Sequence, residues 1–259
     1  MKIIVCVKQV PDTETRIRIA PAGNGIVETD VNWVVSPFDE FAIEEALQIK
    51  ERKGGEVILV GLGPERVQTA LRYGLAMGAD AAVHLKDPLF DQTCATGTAK
   101  ALGAAIKALA PFDLVLTGQQ GVGGDHSQVP GLLAEMLDIP QVTMVVKAEV
   151  EEGKATAERE VEGARETWET SLPALFSAQK GLNTPRYASL KGIMAAKKKT
   201  IEAKDAAALG LDEAALAPLT LLTALELPPS RPAAKMVEGD PATQARELLR
   251  LLHEEAKVI

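Results

Sequence analysis

Over its first 146 residues the chain alternates short aliphatic runs with helix-length amphipathic stretches. Ile3–Val7, Val57–Leu62, Ala81–His84, Asp113–Thr117 and Val142–Val146 are β-branched or aliphatic runs of strand length. Between them the apolar positions recur at helical spacing. Ser36-Pro37-Phe38-Asp39 reads as a capping box with proline at the first helical position, leading into Phe38, Phe41, Ala42, Ala46 and Ile49 on one face. Pro64 opens a second helix, with Val67, Ala70, Leu71 and Leu75 as its apolar face and a stop at Gly78. A third runs from about Gln92 to Ala108, ending before Pro111, and a fourth carries Val129, Leu132, Leu133, Met136 and Leu137. Strands alternating with helices predict an α/β fold, a doubly wound and mainly parallel sheet of the Rossmann-like kind.

After Val146 the rhythm changes. Val146–Val150, Lys154–Val161, Thr167–Thr170 and Ala174–Ser177 are closely spaced strand candidates joined by tight EEGK and EGAR turns, which predicts an antiparallel extension over about residues 142–178. From Asp205 to about Gly239 the chain is rich in Ala, Leu and Pro, and a final helix is expected from Thr243 to Ala256. A proline-punctuated stretch such as LAPLTLLTALELPPSRP cannot form a core of its own, so it packs back on the body or lies on another subunit. The division that follows is a nucleotide-binding body over residues 1–200 and a C-terminal arm and helix over residues 201–259.

The most informative segment joins the Asp113–Thr117 run to the fourth helix. It carries Gly118, Gly121, Gly123 and Gly124, and it places unobstructed backbone N–H groups at the positive end of a helix dipole, a site suited to a phosphate. Neither G-x-G-x-x-G nor G-x-x-x-x-G-K-[ST] is present, and the bland alternative is a long strand-to-helix connection. With Ser127 as N-cap, Pro130 falls at the third helical position, and Gln128 and Val129 offer their amides. Asp125 beside a phosphate would repel it, so its role is to hold the loop or a ribose hydroxyl. In a doubly wound sheet the carboxyl ends of the strands form the ligand crevice, which would gather Cys6, Lys8, Leu62 and the Gly118 loop.

Composition narrows the field. The 259 residues are 46% hydrophobic and 25% charged, with a net charge of −8 that argues against nucleic acid as a partner. No run approaches the roughly 20 apolar residues of a membrane span, and MKIIVCVKQVPD reads as a first strand rather than a signal peptide. Cys6 and Cys94 lack partner spacing, so a reducing, cytoplasmic location is expected. His84, His126 and His253 are far apart, and no metal site is expected. Ser127 beside His126 lacks a nucleophile-elbow context, and no catalytic residue is assigned. The carboxylate pairs Glu44-Glu45 and Glu254-Glu255 are expected on outward helix faces. Lys197-Lys198-Lys199 is a solvated face or a steering patch for an acidic partner. Aromatic residues make up only 3%, and most of Trp33, Phe38, Phe41, Tyr73, Phe90, Phe112, Trp168, Phe176 and Tyr187 are expected in the core.

Several motifs in order, VCVKQVPDTETRIRI, SPFDEFAIEEALQIKE, GLGPERVQTALRYGLAMGAD, DLVLTGQQGVGGDHSQVPGLLAEMLDIPQVT, EREVEGARETWETSLPAL and LNTPRYASLKGIMAAKKKTIE, give the chain a second reading. Essentially from end to end it resembles the β subunit of electron-transfer flavoprotein, of the bacterial type. The resemblance implies an electron carrier without substrate turnover of its own. It would be a heterodimer with an α subunit that holds most of the redox-active FAD. The β chain itself would bind a structural AMP. Electrons would enter from acyl-CoA and related dehydrogenases and leave toward a quinone oxidoreductase.

Carried over by position, AMP contacts would fall on Cys6, on Ser36, Pro37, Phe38 and Asp39, on Leu62, and on the loop. The loop positions are Gly118, Gln119, Gln120, Gly121, Val122, Gly123, Gly124, Asp125, His126, Ser127, Gln128 and Val129, the last three meeting the phosphate. The flavin of the α subunit would lie near Thr13 and Phe38, and Glu160 would face a basic residue of the α subunit. The recognition loop would span about residues 183–196, presenting Tyr187, Leu190, Ile193 and Met194 to partner dehydrogenases, with Leu190 as the anchor. Relatives commonly carry Asn-Gln-Thr where Ser127-Gln128-Val129 stand and an acidic residue at Gly123. Electron-bifurcating relatives place a second FAD where AMP would be and use NADH as donor. Their Asp-x-x-Gln-Val-Gly-Pro is half matched by Asp125 to Pro130. Two readings from other classes are an ATP-cleaving or adenylating enzyme, whose S-G-G-x-D-S loop is missing, and a stand-alone nucleotide-sensing module.

Overall fold

The computed structural model describes residues 1–259 apart from Gln92 and Pro232. Its frame is one nine-stranded sheet built around β1 (Lys2–Val7), β4 (Glu56–Leu62), β5 (Ala81–Leu85), β6 (Leu114–Gly118), β7 (Gln141–Val150) and β10 (Ala174–Ala178). With β8 (Lys154–Val161), β9 (Ala164–Ser171) and β11 (Ile201–Lys204) the order is β11-β5-β4-β1-β6-β10-β7-β8-β9. All neighbours are parallel except the β7–β8 and β8–β9 pairs. The fold is the doubly wound α/β sheet that the alternating pattern predicts.

Strand alternation divides the core in two. Ile3, Val5 and Val7 of β1 face α1 (Pro37–Lys53) and α2 (Val67–Met77), joining Leu59, Leu114, Leu116 and Phe176. Ile4 and Cys6 point the other way, joining Val60, Val115 and Leu175 beneath α3 (Ala95–Ala108) and α4 (Val129–Leu137). Helix α2 has Val67, Ala70, Leu71 and Leu75 buried and ends at Gly78, as its spacing predicts. Helix α3 starts at Ala95 with Cys94 as N-cap, and the expected start at Gln92 lies outside the described residues.

Four expectations require correction. Strand β10 belongs to the parallel sheet, inserted between β6 and β7, because Ala174–Ala178 is buried throughout, with only Ser177 polar among its residues. The two candidate runs around Val146 form the single strand β7, irregular near Met144, whose φ is +58°. The body also continues past residue 200. Strand β11 extends the sheet beyond β5, and Leu209, Leu211 and Leu216 of the following turns pack on the α3 side. Finally, the aromatic residues are less buried than expected. Phe90 and Phe176 are in the core, whereas Trp33, Phe38, Phe41, Tyr73 and Phe112 are half-buried, and Trp168 and Tyr187 are exposed.

Two elements were too short for periodicity to reveal. Strands β2 (Gln9–Pro11) and β3 (Trp33–Val35) form an antiparallel ribbon that carries residues 12–32 away from the body. Arg66 stacks over Trp33, 3.5 Å from the ring centroid, and its guanidinium donates to Gln9 Oε1, so the ribbon is fixed to the start of α2.

Beyond the short helix α6 (Glu213–Leu216) no described residue lies in a helix or strand until Asp240 caps α7 (Pro241–Arg250) by accepting from the Ala242 and Thr243 amides. A π-helical turn over Leu251–Glu255 completes the terminal helix. Among the described residues, none beyond Leu216 belongs to either core. Leu219, Leu221, Leu222, Leu227 and Met236 of the arm are exposed, with Leu248 and Leu249 of α7. No helix among the described residues is long and apolar enough to cross a membrane.

Candidate nucleotide and docking sites

The carboxyl ends of β1, β4 and β6 meet the N-termini of α1 and α4, and one side chain fastens them. Asp39 is buried in the first turn of α1. Its Oδ2 accepts from the Lys8 amide at 2.7 Å, and its Oδ1 accepts from the Gly118 amide at 2.8 Å. One carboxylate therefore ties α1 to the strand ends on both sides of the crevice. Burial pushes its pKa up to about 7, although the two amides and the Lys8 ammonium pull the other way. The same burial, aided by the Asp39 charge, raises the Cys6 thiol, so it stays protonated.

The expected capping box does not form. Asp39 is committed to the strand ends instead of the Ser36 amide, which donates to the Lys8 carbonyl. The Ser36 hydroxyl donates to Gln120 O at 3.4 Å. Gly118 must be glycine because a Cβ there would stand 2.4 Å from Asp39 Oδ1 and 2.7 Å from Phe38 Cβ.

The loop after β6 is built from its own polar groups. The Gly121 carbonyl accepts from the Gly124 and Asp125 amides, the Gln120 side-chain amide donates to Asp125 Oδ1, and Ser127 Oγ donates to Gln120 Oε1. Asp125 thus holds the loop. Asp125 and Ser127 have φ of +49° and +53°, which turns the chain sharply into α4. This corrects the assignment of Ser127 as N-cap. Gln128 occupies that position, and Pro130 falls in the first turn. Among the described residues, the amides of Ser127, Gln128 and Val129 meet no acceptor of the chain, and they cluster at the positive end of α4.

Two further polar groups bear on the site: Gln119, expected from sequence as a contact, and Thr117, which was not singled out. Thr117 Oγ1 and Gln119 Oε1 are buried and, among the described residues, have no hydrogen-bond partner. By alternation Thr117 faces the same side as Val115 and Cys6, the side of the sheet that α4 covers. A hydroxyl at the penultimate position of a buried strand, just before a glycine loop, is the signal that would have found it. Free amides at a helix N-terminus with unsatisfied buried acceptors and donors beside them fit an adenosine phosphate: the amides suit its phosphate, and the side-chain groups suit its sugar and base.

Most of the expected contact residues are brought together here. Cys6 and Leu62 lie on adjacent parallel strands, Ser36 to Asp39 open α1, and Gly118 to Val129 form the loop and the start of α4. Lys8 folds its side chain across Gly121. Gly123, Gly124, His126 and Gln128 are exposed, and Gln119 to Val122 are half-buried. Thr13 stands apart, exposed in the turn beyond β2, at the opposite end of the β2–β3 ribbon from Phe38. Glu160, exposed on β8, pairs with Arg165 of β9 at 2.8 Å.

A second surface is formed by α5 (Leu190–Lys198), which lies on α2. Ser189 caps it by accepting from the Gly192 amide at 3.0 Å. Tyr187 and Leu190 are 93% and 84% exposed, and Ile193 and Met194 lie open beside them. Four large apolar side chains concentrated on one turn form an apolar patch of the kind that marks an interaction site. Within the lysine run, Lys197 and Lys198 are exposed, whereas the Lys199 ammonium donates to the Ala79 carbonyl.

The family model described as the electron transfer flavoprotein domain matches residues 23–209. The chain is 43% identical to the electron transfer flavoprotein subunit beta of Bacillus subtilis (strain 168) over 262 residues, covering 100% of both chains. It is 37% identical to the subunit beta of Syntrophomonas wolfei over 260 residues, covering 100% of this chain and 98% of that one. To the subunit beta of Sus scrofa the identity is 38% over 256 residues, covering 97% and 99%. The doubly wound sheet, the amide-lined loop after its central strand and similarity along the whole chain converge: the chain belongs to the electron transfer flavoprotein beta-subunit family.

Proposed function

We propose that this protein is the β half of a heterodimeric electron carrier. It pairs with an α subunit that holds most of the FAD, receives electrons from acyl-CoA and related dehydrogenases, and delivers them to a quinone oxidoreductase. When bound, FAD supplies the redox chemistry. This chain orients and shields it, presents a docking surface, and holds AMP in the crevice between α1 and α4. The fold supports a division of labour in which the body, extending to Leu216, binds AMP and the arm beyond it lies on the α subunit.

The observation that carries the nucleotide reading is the set of unpaired amides at Ser127, Gln128 and Val129 beside the partnerless Thr117 and Gln119 side chains. AMP is favoured over a second FAD because Asp125, which with Gln128 and Val129 gives the bifurcating motif its partial match, is engaged with Gln120 inside the loop. Similarity along the whole chain to electron transfer flavoprotein beta subunits supports a carrier rather than an ATP-cleaving enzyme.

The test is reconstitution. Mixed with the flavin-bearing subunit, the chain should form a one-to-one complex that is reduced by an acyl-CoA dehydrogenase with its substrate and reoxidised by a quinone oxidoreductase, with no ATP turnover. A chain that stays monomeric beside that subunit, or that hydrolyses ATP, overturns the proposal.

A further inference from the structure

The carboxylate pair expected on an outward face of α1 is buried. Glu44 and Glu45 are 3% and 4% exposed, and what buries them is the segment leading to α5. The Arg186 guanidinium embraces Glu44 with Nε at 2.8 Å and Nη2 at 3.0 Å, one bond to each carboxylate oxygen. It also reaches Glu51 through Nη1 at 2.5 Å and Nη2 at 3.1 Å. The Arg186 amide donates to Glu44 Oε2, and Asn183 donates to Glu45 Oε2 and to the Phe41 carbonyl. Burial would raise the Glu44 carboxyl, yet the Arg186 and Gln48 hydrogen bonds hold it below the ordinary carboxylate range.

The far end of the segment is held as firmly. At Gly192 a Cβ would stand 2.2 Å from the Ala76 carbonyl oxygen, so α5 seats directly on the end of α2. Arg72 donates to the Ala196 and Lys199 carbonyls.

Buried ion pairs contribute little net stability compared with apolar packing, because desolvation offsets their attraction. Their distinctive contribution is geometric, and a planar, forked guanidinium on a fixed carboxylate sets direction as well as position. The residue after this clamp is Tyr187, and Leu190 follows three residues later. Leu190 opens α5, held on α2 from its far side, so the clamp fixes the approach to the helix at Tyr187 and the direction in which Leu190 is presented.

We infer that Arg186, seated on Glu44 and Glu51, is a positioning residue that preorganises Tyr187 and Leu190 for the electron-donating dehydrogenase. The inference rests on the docking role proposed for this surface. Preorganisation lowers the ordering cost of association, so its loss weakens docking without touching electron transfer inside the complex.

The experiment is a double-mutant cycle on the assembled heterodimer, reduced by an acyl-CoA dehydrogenase and its acyl-CoA. Leu190→Ala should raise the KM of the dehydrogenase for the heterodimer about tenfold or more. Arg186→Met should raise it roughly fivefold, with kcat, flavin content and the rate of reduction by dithionite at parental values. Because Arg186 acts through the anchor, the double variant should match the weaker single variant and not the product of both effects. Multiplying effects, or an unchanged KM in Arg186→Met, overturn the inference, whereas an unchanged KM in Leu190→Ala overturns the docking role itself. Should Arg186→Met fail to assemble, Arg186→Lys carries the test. It keeps the charge but loses the fork, so a raised KM supports the clamp and a parental KM contradicts it.

Discussion

Truncation after Leu216 is expected to abolish assembly with the flavin-bearing subunit while leaving the sheet folded. Among the described residues, the arm beyond Leu216 supplies nothing to either core. Its ties to the body are slight. The Leu225 amide donates to the Gly23 carbonyl, and the Leu219 amide lies 3.4 Å from Cys94 Sγ. Yet Leu219 and Leu221 are 75% and 73% exposed, with Leu222 and Leu227 open beside them. Burying four leucines on a partner is worth roughly 6–12 kcal/mol before the costs of association and ordering. Losing that contribution is enough to turn a stable pair into free subunits. Sedimentation of the truncated chain with the α subunit should show two separate species, and far-ultraviolet circular dichroism should retain the α/β signal. A one-to-one complex of undiminished affinity would place the interface elsewhere.

Replacing Asp39 with asparagine should loosen the nucleotide crevice and remove a pH dependence of stability. The carboxylate accepts two backbone amides, one on each oxygen. A carboxamide can accept one on its oxygen but presents N–H donors to the other. One buried amide is thereby orphaned at a cost of about 1–3 kcal/mol, and the strand ends part from α1.

The sign of the pH effect follows from the raised pKa of Asp39, about 7, caused by burial and opposed by the two amides and Lys8, with Glu40 adding to the rise. Between the ordinary carboxylate range and pH 7 the native protein holds a proton that the unfolded chain has released. Stability from this group is therefore full at the acid end, falls as pH rises through that window, and levels above 7. Urea midpoints of the assembled protein at pH 5 and 7.5 should differ by less in Asp39→Asn than in the parent, and the variant should retain less nucleotide. An equal slope in both proteins would show that Asp39 does not titrate there.

The parallel core was legible because its strands and helices are long enough to impose a period. Val67, Ala70, Leu71 and Leu75 face inward because their spacing gives them no alternative. Strand β10 was assigned to the wrong pairing because five buried residues, four of them apolar, carry no mark of direction; its parallel place comes from contacts far away in sequence. The loop after β6 was legible as a strand-to-helix turn with exposed amides from its glycines and from the helix that follows. Its internal wiring was not, because Gln120, Asp125 and Ser127 find one another only after the chain turns through two left-handed residues. Glu44 and Glu45 misled for the same reason. A carboxylate pair on a helix is outward unless a distant guanidinium covers it, and Arg186 lies 142 residues from Glu44 in sequence.

That an adenine nucleotide rests on the α4 amides of one half of a flavin-carrying pair is most directly tested by releasing what the native heterodimer holds. Denaturation followed by chromatography and quantification of the freed nucleotides should yield one AMP and one FAD per heterodimer. Two FAD and no AMP would assign the crevice to the electron-bifurcating arrangement, and FAD with no second nucleotide would contradict the site altogether.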